Sequence, residues 1–349
     1  MESYDVVIVG AGPAGLKCAE VLGGTGLSIL VLEKNTTIGK KTCAGGLSVL
    51  DRKFPLPLHK ALTFRECSVV LNGRGHTLYP LYPIYTIDRI DLGQYQSELL
   101  RRHENIIIET GTAVREITDA HVMAAEKRKI SFRYLVGADG STSIVRRYLG
   151  LESRLYIGMH YVIPEVHEKM VWFLDPGLLG SGYGWIFPHR AFTSAGVYFN
   201  PALIPPKKAR ETLDKLLEGY GIDNRKAGFS AAPVNCLYRG TRFRNIFLAG
   251  DAAGLVSACT GEGIAYALTS GEDIARHLLD TTYDFDNIRK ILTYKKRQEF
   301  ILSIFDRLPF LQSILFRLVI ELIRVPAFQR YYVGELETGA AHLAENEKR

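Results

Sequence analysis

The five cysteines of this chain (Cys18, Cys43, Cys67, Cys236, Cys259) are odd in number and form no C-x-x-C pair or metal-ligand spacing. That excludes a disulfide framework and a zinc site as organising features, and it suits a reducing compartment. The opening MESYDVVIVG has acids ahead of its apolar run and no small-residue cleavage site, so no secretory signal is expected. Between Asp286 and Val325, charges break every apolar run before the ~18 residues that a membrane-crossing helix needs. No nucleic-acid module is recognisable, so nucleic acid is not an expected partner despite a net charge of +6. Much of that excess is local: Asp286 to Arg330 holds nine Lys/Arg against four Asp/Glu.

What is present is a globular chain. Its 349 residues, 47% hydrophobic and 23% charged, allow about two domains. The first 35 residues read as strand, tight turn, helix and strand. Val6 to Val9 is a continuous apolar run, as a buried parallel strand requires. Gly10, Gly12 and Gly15 then form G-x-G-x-x-G. The first makes the turn, the second admits a pyrophosphate close to the backbone, and the third lets helix pack on strand. The second strand ends in Glu33, 18 residues past Gly15, placed to accept hydrogen bonds from a ribose diol. A dinucleotide is expected here, and NAD and FAD both suit the unit.

Two later segments repeat one pattern, an apolar strand ending in a small residue and an aspartate. ISFRYLVGADGSTSIVRRYLGL places Asp139-Gly140 ahead of an arginine-bearing helix. FRNIFLAGDAAGLVSACTGEGIAYALTSGEDIAR places Gly250-Asp251 ahead of a small-residue loop and a helix starting near Gly261 to Gly263. With the opening fingerprint, this set resembles the flavoprotein superfamily that includes p-hydroxybenzoate hydroxylase. The resemblance implies FAD, with Asp251 on the ribityl chain and the helix near Gly263 directing its dipole at the flavin pyrimidine edge. Arg89, ahead of a helix, matches an FAD-contacting arginine. Ala14, Val114 and Ile264 complete the implied cofactor contacts. No second G-x-G-x-x-G appears, so electrons are expected from an external donor, ferredoxin-like or NAD(P)H.

Two shorter motifs narrow the likeness: Cys43-Ala44-Gly45-Gly46-Leu47, and GYGWIFPHR with Tyr183, Trp185, Phe187 and Pro188. Together they resemble the geranylgeranyl reductase family, which saturates prenyl chains on lipids, quinones or the chlorophyll side chain. The likeness runs from about Tyr4 to Ala275. It implies that Cys43, Ala44 and Gly46 approach the flavin and that the aromatic strand lines the substrate pocket. Ala44 departs from the glycine that often follows this cysteine. From the residues alone, alternation of Tyr183, Trp185 and Phe187 also fits a sheet facing a core. For Cys43 three roles stand: a flavin contact, a proton donor to an unactivated alkene, and an inert small hydrophobe. An ordinary thiol is mostly protonated at neutral pH, which suits the second.

The expected fold is α/β, a Rossmann-like FAD-binding domain (1–50, 88–150 and 239–280) with an antiparallel-sheet substrate domain (51–87 and 151–238) and a C-terminal helical region (281–349). In that last region helices break at Pro309 and Pro326. Leu311, Ile314, Leu315, Leu318 and Leu322 make one stripe, which either docks on the protein or lies on a membrane beside Lys295, Lys296, Arg297 and Arg317. The expected function is FAD-dependent reduction of double bonds in a long prenyl lipid. The enzyme is expected in the cytoplasm, with peripheral contact to the inner face of the membrane through 286–330. A flavin monooxygenase or halogenase on the same fold is the alternative. An electron-relay flavoprotein without alkene turnover is a further one.

Overall fold

The computed structural model describes residues 2–47 and 54–333. The stretches 48–53 and 334–349, which fall in the expected substrate-domain boundary and C-terminal region, lie outside the described residues. The chain divides into two compact units. The first comprises Met1–Lys41, Arg89–Leu155 and Pro233–Lys295, and the second Thr42–Asp88, Tyr156–Ala232 and the chain from Lys296 on. The Cys43 loop therefore groups with the second unit, and so does the chain from Lys296 on, the boundary falling within a C-terminal helix.

The first unit is built on a sheet whose core runs parallel. Strand Glu2–Val9 lies between Lys129–Gly137 and Ile29–Leu32, with Ile246–Leu248 and Ile106–Glu109 outside them. Val6, Val7, Ile8, Ile29, Leu30 and Val31 are all fully buried. Their unbroken apolar runs reflect burial on both faces of the sheet. The helices Pro13–Leu22 and Ile264–Leu279 cross at Gly271, where a Cβ would stand 2.1 Å from the Ala14 carbonyl oxygen. Only glycine permits that approach.

The second unit is a seven-stranded sheet in the order Gly228–Asn235, Leu155–Ile163, Thr193–Phe199, Tyr183–Pro188, Val171–Leu174, Cys67–Leu71 and Arg74–Leu78. From Leu155–Ile163 to Arg74–Leu78 its pairs are antiparallel apart from Val171–Leu174, which runs parallel to Cys67–Leu71. Helix Pro206–Gly219 covers one face. Leu213 and Leu217 pack there with Ile186, Val197, Phe199 and Phe173. A small antiparallel sheet joins Gly46–Leu47, Ile84–Thr86 and Leu62–Phe64.

Helices Asp286–Arg307, Gln312–Ile323 and Pro326–Val333 follow, interrupted at Pro309 and Pro326. A proline lacks the N–H that a continuing helix needs. No described helix is long and apolar enough to cross a membrane. The expected surface role of Lys295 is corrected: it is 3% exposed, and its Nζ donates to the Val256 carbonyl at 2.6 Å.

Candidate active site

In the first unit the phosphate turn is set by backbone geometry. Gly10 has φ +103°, and a Cβ there would lie 2.4 Å from the Ala138 carbonyl oxygen. Gly15 would meet the Gly10 carbonyl at 2.0 Å. Gly12 differs, because the nearest atom to its absent Cβ is 3.9 Å away. Two glycines thus close the turn on the protein itself, and the third leaves space beside the backbone. The helix behind them starts at Pro13 without a side-chain cap, which suits an anion at its N-terminus.

Glu33 is buried, and both carboxylate oxygens work within the protein. Oε2 accepts the Ala11 N–H at 2.9 Å, and Oε1 accepts the Asn35 backbone N–H at 2.9 Å and its side-chain amide at 2.8 Å. A carboxylate offers about four acceptor sites, so one remains for an outside hydroxyl. The same residue that the sequence marks as a ribose acceptor also fixes the turn. Val114 lies in the neighbouring loop, two residues beyond Thr112, whose N–H donates to the Glu33 carbonyl.

Around Asp251 the structure gathers charge. Its Oδ2 accepts Lys41 Nζ at 2.7 Å and the Ser141 hydroxyl at 3.1 Å. Burial works to raise its carboxyl, but the Lys41 cation, the Ser141 hydroxyl and the Arg89 charge outweigh it and hold the group below the usual carboxylate range. Arg89 is the first residue of helix Arg89–Leu100, and its Nε is buried with no partner among the described residues. Gly263 immediately precedes helix Ile264–Leu279, and its absent Cβ would stand 3.6 Å from Asp251 Oδ1. Asp139 Oδ2 caps the next helix by accepting the Ile144 N–H at 2.6 Å. Its other oxygen is buried without a partner, and burial raises its carboxyl. An open cradle at Gly12 and orphaned polar atoms on Arg89 and Asp139 fit a charged dinucleotide.

A residue the sequence only hinted at holds this half together. Arg146, 1% exposed, donates to the carbonyls of Ala252 at 2.9 Å, Leu237 at 2.8 Å and Glu152 at 2.9 Å. It anchors the short helix Gly250–Ala253 that carries Asp251. The signal was an arginine-bearing helix after Asp139-Gly140, which gives no indication of which arginine turns inward.

In the second unit Cys43 is half-buried, and its Sγ accepts the Gly45 N–H at 3.4 Å. Gly45 has φ +74°, and a Cβ there would lie 2.4 Å from His189 Cε1 and 2.6 Å from the Ile87 carbonyl oxygen. A Cβ on Gly46 would meet Phe187 at 3.0 Å. The glycine pair is therefore required by close packing on His189 and Phe187, within the unit. His189, 3% exposed, stacks on Phe192 at 4.3 Å and donates from Nε2 to the Ala44 carbonyl at 3.0 Å. Burial lowers its imidazole pKa, against opposing pulls from the Ala44 carbonyl and Asp88. The resulting neutral ring carries its proton on Nε2.

The strand Tyr183–Pro188 has two faces, and Trp185 and Phe187 are buried at 4% and 5% exposure. Gly184 faces Leu216 of helix Pro206–Gly219, and Ile186 belongs to the helix-backed core. Side chains alternate along a strand, so Tyr183, Trp185 and Phe187 occupy the other face. There Tyr183 meets Tyr198 at 5.4 Å, Tyr156 stacks on Tyr198 at 5.5 Å, and Trp172 packs edge-on to Phe187 at 4.9 Å. Pro188 ends the strand, its carbonyl accepting the Thr86 hydroxyl at 2.5 Å. On the same face Gly158 has nothing within 4 Å of its absent Cβ.

One polar group interrupts this aromatic surface. Trp185 Nε1 donates to Ser194 Oγ at 3.0 Å, and Ser194 contacts His160 Nδ1 at 2.7 Å. The indole is only a donor, so the Ser194 oxygen accepts from it and keeps one acceptor site and its own proton for the contact with His160. Burial drives the His160 pKa down to about 4, with the neighbouring His189 adding to it, which keeps the ring neutral. His160 lay in no motif of the sequence, and His189, at the end of GYGWIFPHR, was given no role there.

Residues 4–161 match the pyridine nucleotide-disulphide oxidoreductase family. A geranylgeranyl diphosphate reductase of Rhodobacter capsulatus is 26% identical, covering 77% of this chain and 73% of its own. A geranylgeranyl bacteriochlorophyll reductase-like protein of Thermoplasma acidophilum has a TM-score of 0.80 at 19% identity, covering 99% of each chain. The flavin-dependent brominase Bmp2, as a triple mutant, has the same fold at a TM-score of 0.70 and 17% identity, covering 99% of this chain and 100% of its own. Over residues 4–161 this chain is similar to the pyridine nucleotide-disulphide oxidoreductases, and over most of its length to proteins named geranylgeranyl reductases, whose fold it shares.

Proposed function

We propose that the first unit binds FAD and that the protein saturates carbon–carbon double bonds in a prenyl, geranylgeranyl-like lipid or quinone side chain. The observation carrying the substrate class is the buried aromatic face of Tyr156, Trp185, Phe187 and Tyr198 with half-buried Tyr183, opposite the helix-backed core, with free space beside the backbone at Gly158. Aromatic walls suit an apolar, flexible chain, hold it extended and exclude water.

When bound, FAD supplies the hydride. The open backbone at Gly12 and the N-terminus of helix Pro13–Leu22 receive the pyrophosphate, and Arg89 adds charge through its unpartnered Nε. Glu33 takes a ribose hydroxyl with its remaining acceptor site. Asp251 takes one from the ribityl chain, with Gly263 and Ile264 placing a positive helix end nearby. Cys43 presents a thiol in a loop fixed by the Gly45 and His189 contacts. An isolated alkene offers no carbonyl to stabilise developing charge, so the proton must arrive from a positioned donor. We assign that role to Cys43. A separate donor, ferredoxin-like or NAD(P)H, supplies the electrons.

The test is anaerobic incubation of the holoenzyme with dithionite and geranylgeranyl lipids or polyprenyl quinones in detergent, with protein-free controls. A gain of two hydrogens per double bond in product mass supports the reading. An unchanged mass, with rapid oxygen consumption when air is readmitted, moves the assignment to the monooxygenase or halogenase chemistry of the shared fold.

A further inference from the structure

The last helices leave an apolar face unpartnered. Helix Gln312–Ile323 docks on its own unit through one side only. Gln312 donates to the Phe305 carbonyl at 3.0 Å, Phe316 packs edge-on to Phe305 at 4.6 Å, Ser313 accepts from Asn72 at 2.9 Å, and Ile320 is 2% exposed. The opposite side carries three of the five stripe residues read in the sequence, exposed, while Leu311 and Leu315 are half-buried. Ile314 is 57%, Leu318 55% and Leu322 45% exposed, with Phe310 at 77% before them and Val325 at 48% after. Spacing of i, i+4, i+8 puts the three helical residues in one row.

We infer that this row is a docking surface for an anionic lipid bilayer. Charge argues for that occupant. Arg317 on the same helix and Arg324 at its end are exposed, Lys296, Arg297 and Arg307 are exposed on the preceding helix, and the exposed acid Glu321 is paired to Arg324 at 2.9 Å. Arginine stems lie along apolar surface while their heads reach phosphate. A second copy meeting this row about a two-fold axis would bring like charges together. Residues 334–349 carry only Leu336 and Leu343 as large apolar side chains, too few to cover five. The helix has 12 residues, about 18 Å, so it lies on a bilayer and cannot cross its ~30 Å core. Lys295, buried, takes no part.

The surface is independent of the reductase reading, and its test reads no turnover. Full-length protein is sedimented with phosphatidylcholine vesicles and with vesicles containing phosphatidylglycerol, alongside Leu318→Gln and Arg317→Gln. Unchanged tryptophan-monitored unfolding shows that both variants fold. The expected result is binding to the anionic vesicles, weakened about tenfold by Leu318→Gln and about fivefold by Arg317→Gln. No sedimentation with either vesicle overturns the inference. So does binding that neither substitution alters, or a dimer in light scattering that Leu318→Gln splits.

Discussion

Replacing Gly45 with alanine perturbs the Cys43 loop in a way the geometry quantifies. At φ +74° a side chain costs about 1 kcal/mol in backbone strain alone. The new methyl would also stand 2.4 Å from the His189 ring and 2.6 Å from the Ile87 carbonyl oxygen. A ring can swing aside, whereas a carbonyl within the chain cannot, and such overpacking costs about 1–3 kcal/mol. Gly45→Ala should therefore destabilise the second unit by about 2–4 kcal/mol. Urea unfolding followed by tryptophan fluorescence reports on this unit alone, because both tryptophans of the chain, Trp172 and Trp185, lie in its sheet. Adding His189→Ala removes the ring contact and leaves the Ile87 contact, so the double variant should fall short of the summed losses by about 1 kcal/mol. A Gly45→Ala midpoint within ~0.5 kcal/mol of the parent would refute the packing argument.

Four further outcomes follow from other residues. Arg146→Leu leaves three buried carbonyls without their donor and should cost at least ~3 kcal/mol, with loss of retained flavin, measured by unfolding and by absorbance after gel filtration. His160, held near 4 against an ordinary 6.5, stays neutral in the fold while the unfolded chain takes up a proton. Stability should thus fall by about 3 kcal/mol as pH drops from 6.5 to 4, and His160→Gln should flatten that slope. Asp251→Ala should weaken FAD binding at least ~10-fold in a fluorescence titration, and unchanged affinity would remove Asp251 from the site. In the native protein, a thiol reagent should modify Cys43 and Cys259 first, since Cys18 and Cys67 are buried with pKa values raised to about 12 and Cys236 is also buried. Peptide mapping reads this directly.

Legibility in the sequence tracked the range of the contacts involved. The turn of Gly10, Gly12 and Gly15 depends on neighbours along the chain, so its strand, helix and acid were readable in one pass. The reason for Gly45 and Gly46 was not, because it lies in His189 and Phe187, some 140 residues away. Alternation marked Tyr183, Trp185 and Phe187 as one face but could not say which; helix Pro206–Gly219 covering the other side settles it. Lys295 looked like one cation in a basic run until the Val256 carbonyl was seen to accept its ammonium. Of the stripe Leu311, Ile314, Leu315, Leu318 and Leu322, the structure exposes Ile314, Leu318 and Leu322 and half-buries the other two, while docking runs through Gln312, Phe316 and Ile320, which the stripe left out.

The central claim is that reduced flavin on this protein gives its electrons to a prenyl double bond with Cys43 supplying the proton. The most direct measurement mixes anaerobically reduced holoenzyme with a tetraprenyl lipid and follows flavin reoxidation and product mass in a single turnover. The account predicts reoxidation that coincides with a two-hydrogen gain per bond and slows in Cys43→Ala while FAD affinity stays unchanged. Flavin that remains reduced in the presence of lipid, and reoxidises only with oxygen, would contradict it.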